Sequence, residues 1–332
     1  MRSYILLAVL AALLALAAAC NSDSSSTART PSASPEASPG AGAFSFDCDA
    51  AIEATAPDAG SFPVEVTDSV DNAVTLEQPP QRIISLSAGH TEILYAIGAG
   101  DQVSAVDNTS DCPAATNDLP KVDAFVPSVE QIAALEPDLV VIFFDPGDLQ
   151  SSLQAIDIPV LNLAAPESVQ GVYDQVALLG KATGHADDAA TLVSAMESAV
   201  QDVQSRLKDE PEAPTVFHEV DIHYFSAGSG TFIGDLYGML GAANIADVTG
   251  QAYPQMSAEA IIRADPDVIV LADEDAGESA ETVKARPGWG SISAVKNDRV
   301  YVIDPDIVSR PGPRLVEALT TLAGYLYPEL FQ

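Results

Sequence analysis

The stretch VPSVEQIAALEPDLVVI occupies residues 126–142, and a similar stretch, QMSAEAIIRADPDVIVL, occupies residues 255–271. Each predicts a short helix that begins after a serine N-cap and is followed by a buried strand. An offset of 129 residues aligns the two copies. Residue types then recur in matched pairs, among them Ser128/Ser257, Glu130/Glu259, Ile132/Ile261, Pro137/Pro266 and Asp138/Asp267. The chain therefore carries the same helix–strand unit twice.

The sequence around each copy alternates between strand and helix patterns. FPVEVTDSVDNAVTLEQPP (residues 62–80) predicts a β-hairpin, and RIISLS (residues 82–87) predicts a buried strand that is followed by a helix. TVFHEVD (residues 215–221) opens a second series of strands and helices. Between the two series, the patterns are wholly helical, with one helix ending near Gly184 and a longer helix after it.

Strands that alternate with helices are typical of a parallel sheet covered by helices on both faces. We therefore predict an α/β fold of two Rossmann-like lobes, each a mainly parallel sheet flanked by helices, joined by a single long backbone helix. The predicted first lobe spans residues 62–166, the helical connector residues 167–210 and the second lobe residues 211–332.

The N-terminus resembles a bacterial lipoprotein signal. Residues 1–19 combine a basic residue, a short apolar run and small residues, and Cys20 follows directly. In such signals the cysteine is lipidated and becomes the new N-terminus. The alternatives are a plain signal peptide with a chance cysteine and a membrane-spanning helix, although the run is short for a span. Residues 20–61 then predict a lipidated, disordered Ser/Pro/Ala tether, so we expect an extracytoplasmic body anchored to the cell membrane.

Charge and composition narrow the range of partners. The chain has 14 Lys and Arg against 48 Asp and Glu, a formal net charge of −34. This excess of acid argues against a nucleic-acid partner and against docking on anionic lipid headgroups through a basic patch. A hydrophobic fraction of 47% indicates a globular body rather than a disordered chain.

Cys48 and Cys112 are the two cysteines that remain. In an oxidising compartment such a pair often forms a disulfide, which here would pin the end of the tether to the first lobe. The alternative is two free thiols.

The sequence shows no pattern of a catalytic or metal site. His218 and His223 are five residues apart on a predicted strand, whereas a zinc protease places two histidines four apart on a helix. With four histidines in total and no nucleophile motif or phosphate-binding loop, no catalytic residue, metal or cofactor is assigned. An extracytoplasmic enzyme on the two-lobed scaffold and a structural or sensory surface protein stay open as alternatives to the function that the resemblance below implies.

The repeated glutamates, Glu130 and Glu259, fall in the first turn of each predicted helix. One interpretation is compensation of the helix dipole, which is worth less than ~1 kcal/mol each. However, each unit also carries an aromatic residue shortly upstream, Phe125 in the first and Tyr253 in the second. Equivalent carboxylates on two equivalent lobes favour docking to a two-fold symmetric partner.

Further motifs extend over nearly the whole body. They are RIISLSAGHTEILYAIGAGDQV, LPKVDAFVPSVEQIAALEPDLVV, AGSGTFIGDLYGMLGAANIAD, YPQMSAEAIIRADPDVIVLAD, RPGWGSISAVKNDRVYVID and SRPGPRLVEAL. Through them, residues 62–331 resemble the substrate-binding proteins of bacterial importers for vitamin B12 and ferric siderophores. AYPQMSAE and DIVSRPGPR are most similar to the B12-binding branch. The resemblance implies a class III solute-binding protein, a monomer with a ligand cleft between its lobes and little hinge motion.

The resemblance also implies a function and partners. We expect a lipid-anchored protein that captures cobalamin or a related corrinoid and delivers it to a dimeric ABC permease with its ATPase. The alternative ligand is a ferric siderophore or haem. Glu130 and Glu259 match the exposed pair with which this family engages arginines of the permease.

Candidate cleft residues follow from the same resemblance. Tyr253 matches an aromatic residue that packs against the corrin ring, and Asp306 and Arg310 match a polar pair near the ligand. Other candidates lie on loops at strand ends, where α/β sheets bind ligands; they are Ser87, His90, Phe125, Phe143 or Phe144, and Tyr224 or Phe225. The alternative for each aromatic residue is the core, and for Arg310 an ion pair with Asp306 away from the ligand. For His90, contact with cobalt or haem iron is a further alternative.

Overall fold

The computed structural model describes residues 44–50, 53–207 and 213–331. The predicted signal peptide, Cys20 and the first part of the tether lie outside the described residues. Within those three ranges, no helix has both the length and the apolar character needed to cross a membrane. The same ranges contain two parallel sheets, one in each lobe, and a separate hairpin.

The first lobe is built on a five-stranded parallel sheet. Its strands are β3 Ile83–Leu86, β4 Val103–Asp107, β5 Lys121–Val122, β6 Leu139–Ile142 and β7 Val160–Asn162, in the order β5-β4-β3-β6-β7. Neighbouring residues of β3 enter two separate apolar clusters, Ile83 on one face and Ile84 on the other. Burial on both faces explains why the central strands are aliphatic along their length. The helices of this lobe are α1 Ala88–Ala96, α2 Val129–Ala134 and α3 Leu149–Gln154.

A four-stranded parallel sheet forms the second lobe. Its strands are β8 Thr215–Glu219, β9 Ala243–Asn244, β10 Val268–Leu271 and β11 Val300–Val302, in the order β11-β10-β8-β9. Its helices are α6 Phe232–Met239, α7 Ala258–Ala264, α8 Ala280–Ala285 and α9 Ser293–Lys296. The prediction of two parallel-sheet α/β lobes is therefore confirmed.

A hairpin precedes the first lobe. Strands β1 Val64–Thr67 and β2 Ala73–Leu76 pair antiparallel, as the sequence predicts. Every second side chain is buried, which is the period expected of a sheet with one face on the core. Upstream of it, Cys48 and Cys112 form a disulfide, with 5.0 Å between their Cα atoms. Residue 48 is thereby attached to the loop that follows β4.

Helices α4 Val169–Thr183 and α5 Ala186–Arg206 connect the lobes. The two pack against each other, and Gly184 makes the turn between them with a φ of 84°, a left-handed conformation that glycine adopts without steric cost. The long predicted helix corresponds to α5, whose 21 residues span about 31 Å. The C-terminal helices are α10 Pro305–Ser309 and α11 Leu315–Leu326, and α11 packs on α5.

Each copy of the repeat begins with a serine that caps its helix. Ser128 Oγ accepts a hydrogen bond from the backbone N–H of Gln131, and Ser257 Oγ accepts one from Ala260, both at 3.1 Å. These bonds satisfy backbone donors that a helix leaves free at its first turn. The repeated isoleucines and prolines are buried in both copies; they are Ile132, Ile261, Pro137 and Pro266.

The repeated aspartates hold the start of an interior strand in each lobe. Asp138 accepts hydrogen bonds from the backbone N–H groups of Gln81 and Arg82, at 2.7 and 2.8 Å, just before β3. Asp267 accepts one from the backbone N–H of Thr215 at 2.9 Å, where β8 begins. The repeated serines, isoleucines, prolines and aspartates therefore have the same internal structural role in both lobes, whereas the repeated glutamates do not.

Candidate ligand-binding cleft

A cavity of about 220 Å³ lies where the central strands of the first lobe end. Ser87 and His90 line it after β3, and Phe143 lines it directly after β6. Residues 309–311, which join α10 to α11, also line it. The carboxyl ends of parallel strands are the usual ligand position in α/β folds. The structure thus brings five predicted site residues to one cavity, namely Ser87, His90, Phe125, Phe143 and Arg310.

Three phenylalanines form an aromatic wall beside this cavity: Phe125, Phe143 and Phe144. Their ring centroids lie 6.2 Å (Phe125 to Phe143), 5.5 Å (Phe125 to Phe144) and 4.5 Å (Phe143 to Phe144) apart. Phe125 is 66% exposed, so it is not a core residue. Phe143 and Phe144 are partly buried, and together with exposed Phe125 they offer an apolar surface to a flat ligand.

His90 is a neutral, buried histidine that lines the cavity. Gln175 Nε2 donates to the carbonyl oxygen of Ala164 at 2.7 Å, so its Oε1 is left to accept from His90 Nε2 at 3.1 Å. This network assigns the proton to Nε2. Burial lowers the pKa of His90 to about 4, opposed by the hydrogen bond to Gln175. His90 Nδ1 makes no hydrogen bond to the described residues. Gln175 was not predicted from the sequence because nothing marks it within α4.

Arg310 is paired on both sides. Its Nη2 lies 2.6 Å from Asp306 Oδ1, so the predicted pair is in contact, although Asp306 does not line the cavity. Its Nη1 donates to Asp111 Oδ1, also at 2.6 Å. Burial acts to raise the pKa of the Asp111 carboxyl, but the hydrogen bond and charge of Arg310 outweigh it and the pKa is lowered. The sequence could not predict this partner, since 199 residues separate it from Arg310.

The segment of residues 309–314 is pressed against the start of α1. Arg314 Nε and Nη2 donate to the two oxygens of buried Glu92, at 3.1 and 2.6 Å. Burial raises the pKa of Glu92, and the bonds from Arg314 oppose that shift. A Cβ atom added to Gly89 would lie 2.6 Å from the carbonyl oxygen of Pro311. We call this contact between the start of α1 and residues 309–314 the seam. Arg314 lies in the motif SRPGPRLVEAL, but no sequence signal indicated its partner.

The other predicted aromatic residues lie on the second lobe and do not line the cavity. Tyr224 packs with its ring centroid 5.5 Å from that of Trp289 and 5.1 Å from the guanidinium carbon of Arg286. Phe225 is 36% exposed and Tyr253 is 56% exposed. Tyr224 is thus half-buried against the second lobe, whereas Phe225 and Tyr253 present their rings to solvent.

A charged cluster occupies the strand ends of the second lobe. Arg286 binds both carboxylate oxygens of Glu219, the last residue of β8, and donates to Glu278 at 2.6 Å. Asp273 is buried two residues beyond the end of β10. Its repeat counterpart in the first lobe, 129 residues earlier, is Phe144. The equivalent strand ends are therefore aromatic in one lobe and charged in the other.

Glu130 and Glu259 are exposed in both copies of the repeat. Ser128 Oγ donates to Glu130 Oε2 at 3.1 Å. Bonds from its own backbone N–H and from Ser128 lower the pKa of Glu130. Glu259 makes no side-chain hydrogen bond or ion pair to the described residues. Both side chains are therefore exposed to solvent, where a partner can reach them.

Comparison with known proteins identifies relatives of this architecture. The family model described as periplasmic binding protein matches residues 83–307. An uncharacterised ABC transporter substrate-binding lipoprotein of Bacillus subtilis, YvrC, is 36% identical over 280 residues, which cover 82% of this chain and 88% of YvrC. A cobalamin-binding protein of Halobacterium salinarum is 30% identical over 291 residues, covering 82% of this chain and 76% of the relative.

A solved structure matches the same body. The apo form of the periplasmic haem-binding protein RhuT from Roseiflexus superposes with a TM-score of 0.68 at 25% identity, covering 76% of this chain and 99% of RhuT. The chain therefore belongs to the periplasmic binding protein family, whose members are substrate-binding proteins of ABC transporters and not enzymes.

Proposed function

We propose that this protein captures cobalamin or a related corrinoid in the cleft between its lobes and delivers it to an ABC permease. The aromatic wall of Phe125, Phe143 and Phe144 carries the proposal, because a corrin ring is broad, flat and largely apolar on its faces. Likeness to the cobalamin-binding protein of Halobacterium salinarum supports it.

The dimensions of the site indicate how such a ligand would lie. The cavity of about 220 Å³ is smaller than a typical small-molecule pocket of ~300–1,000 Å³. A corrinoid would therefore fill the cavity with one edge and extend past the aromatic wall. Tyr253 and Phe225, both exposed on the second lobe, are the side chains proposed to cover the remaining surface.

Haem or a ferric siderophore is the second candidate ligand, supported by the likeness to RhuT. Both are often anionic, and a site for them is expected to offer cations. Among the described residues that line the cavity, Arg310 is the single cation, and it is already paired with Asp111 and Asp306. We therefore favour the corrinoid.

Delivery requires a docking surface, for which we propose Glu130 and Glu259. They are a repeated pair without an internal structural role, and both are exposed. An equivalent carboxylate on each lobe suits a permease dimer with a basic group on each subunit. We further propose a monomer with the lobe boundaries predicted above.

We also propose that Cys20 carries a lipid that holds the protein outside the cytoplasm at the cell membrane. The lipoprotein name of YvrC and the pattern of residues 1–20 support this anchor. Mass spectrometry of the protein from its own membrane is the direct measurement. An N-terminal peptide that begins at an acylated Cys20 is expected, and an unmodified Cys20 would contradict the anchor.

Calorimetric titration of the purified protein with cyanocobalamin tests the ligand. We expect one-to-one binding with a submicromolar dissociation constant, as a buried ring face and several hydrogen bonds should provide. Haem serves as the comparison ligand in a parallel titration. Binding of haem with no binding of cyanocobalamin would replace the corrinoid by the second candidate.

A further inference from the structure

Both terminal nitrogens of Arg310 are already in use. Nη1 donates to Asp111 Oδ1 and Nη2 contacts Asp306 Oδ1, each at 2.6 Å. Contacts between ionised groups at this distance are the strong class of hydrogen bond. Asp111 belongs to the first lobe and Asp306 to α10, so the guanidinium is held from two directions. An anionic ligand would have to compete with these two carboxylates for the guanidinium group.

A second pair lies directly behind this one. Glu92 Oε1 is 3.9 Å from Arg310 Nη1, and Arg314 contacts both oxygens of Glu92. Asp107 also lines the cavity, where the backbone N–H of Thr109 donates to it at 3.0 Å. The carboxylates that interact with the two arginines include those of Glu92, Asp111, Asp304, Asp306 and Glu317, and Asp107 lines the same cavity.

These carboxylates outnumber the two guanidinium groups, so the formal charge around this side of the cavity is negative. His90 adds no positive charge near neutral pH, because burial lowers its pKa to about 4. Water is partly excluded from the site, so charges there are screened less than at the open surface. A ligand carboxylate would meet net repulsion, whereas a carboxamide in the same place would not.

We propose that Asp111 and Asp306 determine ligand specificity by occupying Arg310, so that the cleft accepts uncharged or cationic tetrapyrroles and rejects anionic ones. This inference rests on the proposed function, since it assumes that the ligand lies against Arg310. The two aspartates therefore act without binding the ligand themselves. They occupy the guanidinium group of Arg310, which an anion would otherwise bind.

The test compares two ligands that differ only in peripheral charge. One is a corrin that carries its side-chain carboxamides, and the other is the same corrin with free carboxylates. We expect the wild-type protein to bind the amide form at least about tenfold more tightly. In the variant Asp111→Asn/Asp306→Asn, which frees Arg310, the ratio of the two dissociation constants is expected to fall about tenfold.

Asp118→Asn is the matched control. Asp118 is an exposed aspartate in the same region as Asp111, and its side chain makes no hydrogen bond or ion pair with the described residues. This variant removes one negative charge from the same region without freeing Arg310, and it should leave the ratio unchanged. Thermal unfolding of all variants checks that the fold is intact. Equal affinity of the wild type for both corrins, or the same ratio in the double variant, would overturn the inference.

A second ligand pair separates this inference from the proposed function. Haem and its bis-amide form differ in charge in the same way as the two corrins. If the protein binds the bis-amide in preference to haem and binds no corrin, a corrinoid is refuted as the ligand. The proposed selection against anionic ligands would then still stand. Failure of every uncharged member to bind would overturn both.

Discussion

The surroundings of Asp273 make the stability of the folded protein depend on pH. It is 6% exposed and follows β10 at the second lobe. Burial, together with the carboxylates of Glu219 and Glu278, raises its pKa from 3.8 to about 7. The folded protein therefore holds a proton that the unfolded chain releases. The resulting stabilisation is complete below about pH 4 and is lost as the pH rises through 7.

Asp273→Asn replaces this carboxyl by a group that stays uncharged. The wild type should lose about 1–3 kcal/mol of stability between pH 5 and pH 8 through this site, and the variant should not. Urea unfolding at both pH values measures the difference. Asp275→Asn, at an exposed position nearby, is the control and should keep the wild-type dependence. An equal loss of stability in the wild type and Asp273→Asn would show that Asp273 is not the titrating group.

Among the elements, α1 lies in close contact with another part of the fold at the seam. Gly89→Ala places a methyl group 2.6 Å from the backbone oxygen of Pro311, which no side-chain rotation can relieve. We expect the substitution to cost about 1–3 kcal/mol in unfolding free energy. Gly238→Ala, inside α6 with nothing within 4 Å, is the control and should be neutral or stabilising by up to about 1 kcal/mol. Similar midpoints of urea unfolding for the two variants would contradict the close contact between Gly89 and Pro311.

Local sequence patterns were enough to predict the helices and strands but not the side-chain contacts between them. The helix–strand units, the hairpin and the α4–α5 pair follow from periods and caps that lie within a few residues of each other. Arg310 and Asp111 are 199 residues apart in the sequence, and Arg314 and Glu92 are 222 residues apart. A pattern that extends over a few residues cannot predict such contacts. Tyr224 was predicted for the cleft because it follows a strand, yet its positive φ of 64° accompanies packing against Trp289.

At the scale of the whole molecule, the repeat places one glutamate on each lobe. Glu130→Ala/Glu259→Ala should leave corrinoid affinity unchanged, because neither residue lines the cavity, and should reduce uptake by at least about tenfold. Uptake of radiolabelled cobalamin by cells that carry the variant is the measurement. Glu136→Ala, at an exposed position after α2, is the control and should transport normally. Wild-type uptake by the double variant would refute the docking role.

The seam also bears on the use of this protein as an engineering scaffold. Where α1 meets residues 309–314, backbone lies against backbone at Gly89 and Pro311, so that part of the contact does not depend on the side chains that line the cleft. Phe125, Phe143 and Tyr253 can therefore be exchanged without touching it. A library randomised at those three positions should yield variants that keep the wild-type fold and bind new pigments, for use as sensors.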